Sequence, residues 1–399
     1  MYIIQGDYLN NYEVLAFYAI AFIVIWVLAF IFKDKLKIDI NGPLLMRRTQ
    51  RLRGLIDSIA QKSPRFWKMF MNIGIPVAVF FMLFIFYYLA SSLYTTLTAP
   101  PVVAQASGVS IAIPGLNIPG GINIPLSYGL IALVTVIVVH EFAHGILARA
   151  EGIKIKSIGL LLLAILPGAF VEPDEEQVKK AKRVSKLRIY AAGSIANISL
   201  AAIALVAALA ISAFFITPSF HSEGMQITSV MPDSPANGVL KEGMIINNIN
   251  GMEIKDRTNF VNSLNTTKPG DTVTIVTNQG TFTIKTASNP RNSSAAYIGI
   301  VTQETPAINQ DVSNTYGNIL PWFLVYFATL LQWIFILNFG IGTFNLLPLK
   351  PLDGGLMLEE LLNYITSSEL ANKITNSVSI ISLILVVVSI TSGLTSALF

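Results

Sequence analysis

The sequence predicts a polytopic α-helical membrane protein of about six transmembrane helices, with a re-entrant β-hairpin and an inserted α+β domain. Of its 399 residues, 53% are hydrophobic and only 13% are charged, whereas soluble domains carry about 25% charged residues. Six apolar runs are also long enough to cross a hydrocarbon core of about 30 Å. These runs are roughly 11–32, 70–97, 124–150, 187–217, 320–346 and 374–398.

The charge distribution orients these helices. Residues 33–68 hold ten Lys and Arg against three acids, residues 149–188 hold nine more basic residues, and residues 99–125 hold none. Loops rich in Lys and Arg stay on the cytoplasmic side. We therefore predict a multi-pass protein of the plasma membrane, with both termini and the segment 218–318 outside. The net charge of +4 is explained by this topology and does not indicate a nucleic-acid partner.

The hairpin is predicted from an apolar stretch that does not fit the helical pattern. Residues 157–171 are too few to cross the membrane comfortably, and Pro167-Gly168 is a turn signal. Both flanking segments belong to the predicted cytoplasmic side. Irregular backbone at membrane depth must be buried in protein or line a cavity.

A metal-binding pattern lies in the third run, at His140-Glu-Phe-Ala-His144. Histidines four residues apart lie on one face of a helix and can share a zinc ion. Glu141 is placed to act as a general base. The chain contains no cysteine, so a metal must be bound by histidine and carboxylate. The alternative is a pair of buried structural histidines.

A catalytic zinc site usually has three protein ligands and one open position. His221, the only other histidine, lies in the predicted external segment and is a poor candidate. Asp353 is a better one, because Pro348 and Pro351 interrupt the fifth run before it and two glycines allow a tight turn after it. Taken alone, this segment is more typical of a solvated aspartate at an interfacial turn.

These motifs resemble the site-2 protease family of intramembrane metalloproteases. HEFAH matches its HExxH helix, Asn345 to Gly355 matches its NxxPxxPxDG segment, and Gly193 to Asn197 matches its GxxxN element. The resemblance covers roughly residues 125–365. It implies one Zn²⁺ per chain, bound by His140, His144 and Asp353, with Glu141 as base. It also implies that Asn197 and Asn345 position the substrate backbone or stabilise an oxyanion; for Asn197, a helix-packing contact is an equal alternative.

The external segment resembles a bacterial PDZ domain. The runs 230–236 and 243–251 match its strand and turn pattern, although Met244 stands where an aspartate is usual. Tyr297, Ile298, Gly299 and Ile300 resemble a carboxylate-binding loop, and their late position suggests a circularly permuted order. The resemblance implies capture of a peptide C-terminus by strand addition. The alternative is a domain that acts only as a steric filter.

Four regions follow: 1–124, two N-terminal helices with a basic loop; 125–217, the first part of the catalytic core; 218–304, the PDZ-like domain; and 305–399, the second part with the last helix. The predicted function is an intramembrane zinc endopeptidase that cleaves membrane-anchored proteins near the cytoplasmic side. Its predicted partners are single-span membrane proteins or their trimmed remnants, and the lipid bilayer. The alternatives are a zinc-binding scaffold and a zinc transporter.

Overall fold

The structure is a computed structural model that describes residues 10–50, 52–98, 113–118, 122–163, 166–289 and 292–398. The described residues form two compact units, one of Ala208–Thr329 and the other of the residues up to Ala207 and from Leu330. The division at residues 124, 217 and 304 stays a prediction.

Helices account for most of the chain. They are α1 (Asn11–Leu36), α2 (Arg53–Lys62), α3 (Pro64–Thr98), α4 (Leu126–Ala150), α5 (Glu175–Lys180), α6 (Arg183–Ile211), α7 (Arg257–Asn265), α8 (Gln310–Tyr316), α9 (Ile319–Asn345), α10 (Asp353–Leu362) and α11 (Ser368–Leu398). Among the described residues, six helices are long and apolar enough to span a membrane: α1, α3, α4, α6 with its continuation to Ser219, α9 and α11. The six predicted spans are therefore confirmed.

The strands form three sheets. They are β1 (Ile38–Asn41), β2 (Leu44–Thr49), β3 (Ile155–Leu163), β4 (Leu166–Pro173), β5 (Phe220–Val230), β6 (Ile245–Ile249), β7 (Met252–Glu253), β8 (Thr272–Thr277), β9 (Gly280–Lys285), β10 (Ala287–Asn289), β11 (Asn292–Tyr297) and β12 (Ile300–Ile308). Strands β3 and β4 are the predicted hairpin, with Leu162 opposite Pro167 and Ile158 opposite Val171. The hairpin is confirmed, but the predicted turn at Pro167-Gly168 is wrong, because both residues lie within β4 and pair with Leu162 and Leu161. Residues 164–165 lie outside the described residues.

Two further strands, which the sequence analysis did not predict, extend this hairpin into a four-stranded antiparallel sheet. Its order is β1-β2-β3-β4, so β4 is an edge strand. Strands β1 and β2 come from the basic loop between α1 and α3, whereas β3 and β4 come from the loop between α4 and α6. The sheet therefore places both basic loops on the same side of the helices.

A continuous apolar core joins α2, α3, α4, α6 and the hairpin. Ile56, Met71, Ile155 and Ile195 are almost completely buried in it. At Gly145, a Cβ atom would lie 3.0 Å from side-chain atoms of both Ile56 and Val171. This close approach fixes the hairpin against α4, the helix that carries both predicted histidine ligands.

The unit Ala208–Thr329 contains the inserted α+β domain. Its main sheet has the order β12-β5-β6-β8-β9, and β7 pairs with β6. Ile227, Ile246, Ile249 and Ile275 are fully buried, and Phe260 of α7 packs with them. The predicted fold class, a polytopic helical protein with this insert, is confirmed.

Glu151, the residue after α4, connects three helices. Its carboxylate accepts hydrogen bonds from Ser185 Oγ and Arg188 Nη1, both at 2.7 Å, and lies 3.6 Å from Lys68 Nζ. Burial alone would raise the pKa of Glu151. The hydrogen bonds from Ser185 and Arg188 and the charges of Lys68 and Arg188 outweigh burial, so that this pKa is lowered.

Glu151→Gln is expected to destabilise the folded protein by about 3 kcal/mol at neutral pH, because it leaves the largely buried Arg188 guanidinium without its carboxylate. The folded pKa lies below the unfolded value of about 4.3, so this stabilisation is present above that pH and is lost as the pH falls through the folded pKa. Thermal unfolding in detergent, compared at pH 7, 5 and about 3.5, should show the difference between wild type and variant shrinking in acid.

Glu176→Gln is the matched control for Glu151→Gln, because its side chain is 68% exposed and pairs only with Lys179 at the surface. We expect a change of less than about 0.5 kcal/mol. Equal stability of Glu151→Gln and wild type at neutral pH would contradict the structural role given to Glu151.

Candidate metal centre

Three of the predicted site residues come together between the C-terminal half of α4 and the first residue of α10. His140 and His144 lie one turn apart on α4, and Asp353 is the first residue of α10. His140 Nε2 and His144 Nε2 are 3.1 Å apart. Asp353 Oδ2 lies 3.5 Å from His140 Nε2, and Asp353 Oδ1 lies 3.5 Å from His144 Nε2. Within the described ranges, they form the one group of three such residues able to hold a metal ion.

The donor set and its spacing fit zinc. Two imidazole nitrogens and a carboxylate are common zinc ligands, and zinc bonds of about 2.0–2.2 Å in a tetrahedron separate neighbouring ligand atoms by roughly 3.4 Å. The three measured separations scatter around this value. Three protein ligands leave a fourth position for water or substrate, as in catalytic rather than structural zinc sites.

Gly193 of α6 creates the space between the two imidazoles. A Cβ atom on this residue would lie 2.5 Å from His144 Nε2 and 2.6 Å from His140 Nε2. The volume that a metal ion would need is therefore open only because residue 193 has no side chain. Sequence analysis had noted Gly193 as part of a motif with Asn197, and had not placed it at the histidines.

Two neighbours on α6 orient the ligands. His144 Nδ1 donates to the carbonyl oxygen of Ile189 at 2.7 Å, which leaves the lone pair of Nε2 directed at the other ligands. Ser194 Oγ donates to Asp353 Oδ2 at 3.0 Å. Sequence analysis missed both residues, although Ser194 lies inside the Gly193–Asn197 motif.

Asn197 contacts the ring of the other histidine. It is completely buried, and its Nδ2 lies 3.3 Å from His140 Nδ1. Its Oδ1 has no hydrogen-bond partner among the described residues. Because amide oxygen and nitrogen can exchange places by a simple flip, Oδ1 can instead accept the Nδ1–H proton of His140. A ligand histidine usually has such a partner.

Asn197→Leu is expected to lower zinc affinity by about 10- to 100-fold, because His140 would lose the group that orients its ring. A zinc titration against a competing chelator measures this effect. Asn338→Leu is the matched control: Asn338 is equally buried, on α9, but bonds to Thr135 instead of a histidine. Unchanged zinc affinity with impaired cleavage would favour a role on substrate or oxyanion, and no change in either would indicate packing.

Glu141 connects the histidine helix to the hairpin. Its Oε2 accepts a hydrogen bond from the backbone N–H of Val171 in β4 at 3.0 Å. Successive backbone groups alternate in direction along a strand, so the backbone of Ala169 also points to the free edge of β4. The predicted base therefore lies beside an unpaired strand edge.

The turn before α10 brings Asp353 to this site. A Cβ atom on Gly355 would lie 2.6 Å from the Leu349 carbonyl carbon, and one on Gly354 would overlap the Leu346 carbonyl. Both glycines thus allow the chain to fold back on itself next to Asp353. Asn345 is the last residue of α9, and its side chain makes no hydrogen bond among the described residues. Its role stays a prediction.

The remaining predicted residues lie in the inserted domain. His221, in β5, is exposed and its Nδ1 lies 2.7 Å from Asn309 Oδ1. Tyr297 ends β11 and Ile300 begins β12, separated by Ile298 and by Gly299 with a positive φ of 80°. The carbonyl group of Ile298 accepts a hydrogen bond from the backbone N–H of Ala236, and that of Gly299 accepts one from the backbone N–H of Met231. Peptide binding by this loop stays a prediction.

Comparison with known sequences gives one family match and three similar proteins. Residues 128–389 match the model of peptidase family M50. An uncharacterized protein of Methanocaldococcus jannaschii is 30% identical over 83% of this chain and 81% of its own length. A membrane-bound transcription factor site-2 protease homolog of Arabidopsis thaliana is 30% identical over 32% of this chain and 25% of its own. A Clostridium perfringens protein provisionally named a zinc metalloprotease is 24% identical over 65% of this chain and 93% of its own.

Solved structures of two PDZ domains also match. The domain of an SdrC-like protein from Listeria innocua is 29% identical and covers 21% of this chain and 96% of that domain, with a TM-score of 0.19. The corresponding domain from Listeria monocytogenes is 28% identical and covers 23% and 92%, with a TM-score of 0.18.

Proposed function

Because the chain belongs to peptidase family M50 and is a multi-pass membrane metalloprotease of the site-2 protease type, we propose that it hydrolyses peptide bonds inside the transmembrane segments of membrane-anchored proteins. One observation carries this proposal. The His140, His144 and Asp353 cluster lies beside Glu141, which is held by the edge strand of the hairpin.

Each residue of the site has a part in hydrolysis. His140, His144 and Asp353 would hold one zinc ion, which would supply Lewis-acid polarisation of a carbonyl group and of water. Glu141 takes the proton of the attacking water and later delivers it to the leaving amine. The bond from Val171 N–H fixes one oxygen of Glu141, so the carboxylate keeps a single orientation during both transfers.

The free edge of β4 is the proposed docking place for the substrate backbone. A transmembrane helix uses its carbonyl groups in its own hydrogen bonds, so it must unwind locally before hydrolysis. An unwound segment can pair as an added strand with the outward-facing backbone of Ala169 and with the carbonyl group of Val171, whose N–H group stays bonded to Glu141. The pairing would bring a carbonyl group next to Glu141, since Val171 already contacts this carboxylate.

The proposed topology puts the site on the cytoplasmic side. Both basic loops contribute to the sheet β1–β4, and loops rich in Lys and Arg remain cytoplasmic. Both termini and the PDZ-like domain then lie outside. In this position the domain limits which membrane proteins approach, by binding their chain ends or by size, and the favoured substrates are single-span proteins or their trimmed remnants.

Reconstitution with a panel of transmembrane peptides tests the proposal. The zinc-loaded chain should cleave some of them, and Glu141→Gln should keep zinc but cleave about 10²- to 10⁴-fold more slowly. Glu369→Gln is the matched control, because this carboxylate is 80% exposed at the start of α11. Normal cleavage by Glu141→Gln would exclude the mechanism. Zinc flux without cleavage would favour a transporter. A cellular phenotype that survives substitution of the zinc-site residues would favour a scaffold.

A further inference from the structure

An apolar cavity of about 390 Å³ lies within the helical unit, at the far end of the hairpin. Helices α1, α4 and α9 form its walls together with the two strands β3 and β4. The residues that matter below are Tyr18 and Phe22 of α1, Leu133 of α4, Leu162 and Pro167 of the hairpin, and Leu337 of α9.

The chemistry of the cavity selects a hydrocarbon occupant. The hydroxyl group of Tyr18 is its main polar atom, and that group already donates to the carbonyl oxygen of Pro114 at 2.9 Å. The volume falls within the range of about 300–1,000 Å³ that is usual for ligand pockets. A large aliphatic or aromatic side chain would fill part of it, whereas a polar side chain would lose its hydrogen bonds to water.

The position of the cavity relates it to the metal centre. Along β4, Pro167 is four residues from Val171, or about 13 Å at 3.3 Å per residue. Along α4, Leu133 is eight residues from Glu141, or about 12 Å at 1.5 Å per residue. The two lengths agree, so the hairpin runs beside α4, with Glu141 at one end of β4 and the cavity at the other.

Helix α1 closes the cavity on its outer side without packing tightly. Within α1, which the structure describes throughout, the buried residues are Val14 and Ala29, near its two ends. The N-terminal end of α1 is also held by Asn11, whose side chain exchanges two hydrogen bonds with the backbone of Asn117. Between these points the helix faces the cavity through Tyr18 and Phe22.

We propose that this cavity is a specificity subsite that receives an apolar side chain of the substrate about four residues from the scissile bond. The inference rests on the proposed function, because it requires a substrate strand along β4. In an extended strand, residues two and four positions apart point to the same face. A substrate that presents a carbonyl group at Glu141 therefore directs the residue four positions away toward Leu162 and Pro167.

Substrate series with Ala, Leu, Phe or Asp at this position test the proposal. We expect the wild type to cleave the Leu and Phe peptides at least about 10-fold faster than the Asp peptide. Leu133→Trp fills the cavity, so it should cleave the Ala peptide at a nearly normal rate and the Phe peptide at least about 10-fold more slowly. Ala21→Phe narrows the same cavity from α1 and serves as a second variant if Leu133→Trp does not fold.

Ile131→Trp is the matched control, because Ile131 lies on the same helix, is 49% exposed and is not among the cavity residues. It should keep the wild-type preference. Zinc content should be normal in all three variants, since none touches the metal ligands. Normal cleavage with unchanged side-chain preference in both Leu133→Trp and Ala21→Phe would overturn the subsite and leave the proposed function intact. Failure of the wild type to cleave any peptide would overturn both.

Disulfide trapping gives a second, positional readout. The chain contains no cysteine, so Leu133→Cys introduces a single thiol. In the Glu141→Gln background and with a mild added oxidant that takes up the two electrons, peptides with one cysteine at successive positions should form a disulfide adduct most readily when the cysteine is about four residues from the bond cleaved by the wild type. Equal adducts at all positions, or the same pattern with Ile131→Cys, would overturn the proposal. So would shielding of the Leu133→Cys thiol from every peptide, the result expected if a lipid chain fills the cavity.

Discussion

Replacing Gly193 with alanine is expected to remove zinc from the protein and to abolish proteolysis. The new Cβ atom would lie 2.5 Å from His144 Nε2 and 2.6 Å from His140 Nε2, where it occupies the space of the ion and pushes both rings aside. We expect zinc affinity to fall by at least about 100-fold, the upper range for losses caused by disturbed ligand orientation. Zinc per chain and cleavage of a transmembrane peptide measure the two effects.

Gly340→Ala provides the matched control for Gly193→Ala. Gly340 is also a glycine within a membrane-spanning helix, but a Cβ atom there would meet nothing within 4 Å. Zinc content and cleavage should be normal, and the helix should gain roughly 0.5–1 kcal/mol of stability. A Gly193→Ala protein that retains one tightly bound zinc would show that the ion lies elsewhere.

Asp353→Ala is expected to have the second largest effect, because it removes one of the three proposed ligands and leaves two histidines alone. Zinc sites with so few protein ligands lose most of their affinity, so the purified variant should contain little zinc and cleave no peptide. Ser194→Ala removes only the hydrogen bond that orients this carboxylate. We expect a smaller loss of zinc affinity, of about 10-fold.

Comparison of Asp353→Ala with Ser194→Ala distinguishes a metal ligand from a residue that only orients the ligand. Asp39→Ala is the control, because this aspartate is more than half exposed and pairs with Arg48 in the basic loop. It should change neither zinc content nor cleavage. Wild-type zinc stoichiometry in Asp353→Ala would remove Asp353 from the ligand set, whereas equal losses in Ser194→Ala and Asp353→Ala would show that carboxylate orientation decides affinity.

Features that depend on local signals could be predicted from the sequence. The six spans follow from the lengths of the apolar runs, and the hairpin follows from a short apolar run with Pro167-Gly168 inside it. The four-residue spacing of His140 and His144 is sufficient to put both rings on one helix face. None of these inferences requires knowledge of which distant segments meet.

Contacts made by the backbone could not be predicted. The carbonyl group of Ile189 that orients His144, and the N–H group of Val171 that holds Glu141, are present at any residue type, so no sequence pattern marks them. Strands β1 and β2 were missed for a different reason. Their Lys and Arg residues indicate a cytoplasmic loop, and this charge signal hides the short alternation of a strand.

The sheet that contains the edge strand also has a mechanical consequence. Helix α1 ends at Leu36 and β1 begins at Ile38, with Lys37 between them in the left-handed conformation. Strand β1 lies three strand spacings, or about 14 Å, from β4. A tilt of α1 at the end that joins β1 is therefore transmitted through hydrogen-bonded strands to the strand that holds Glu141. Helix α1 and the Glu141 carboxylate are thus connected through the sheet, although neither touches the other.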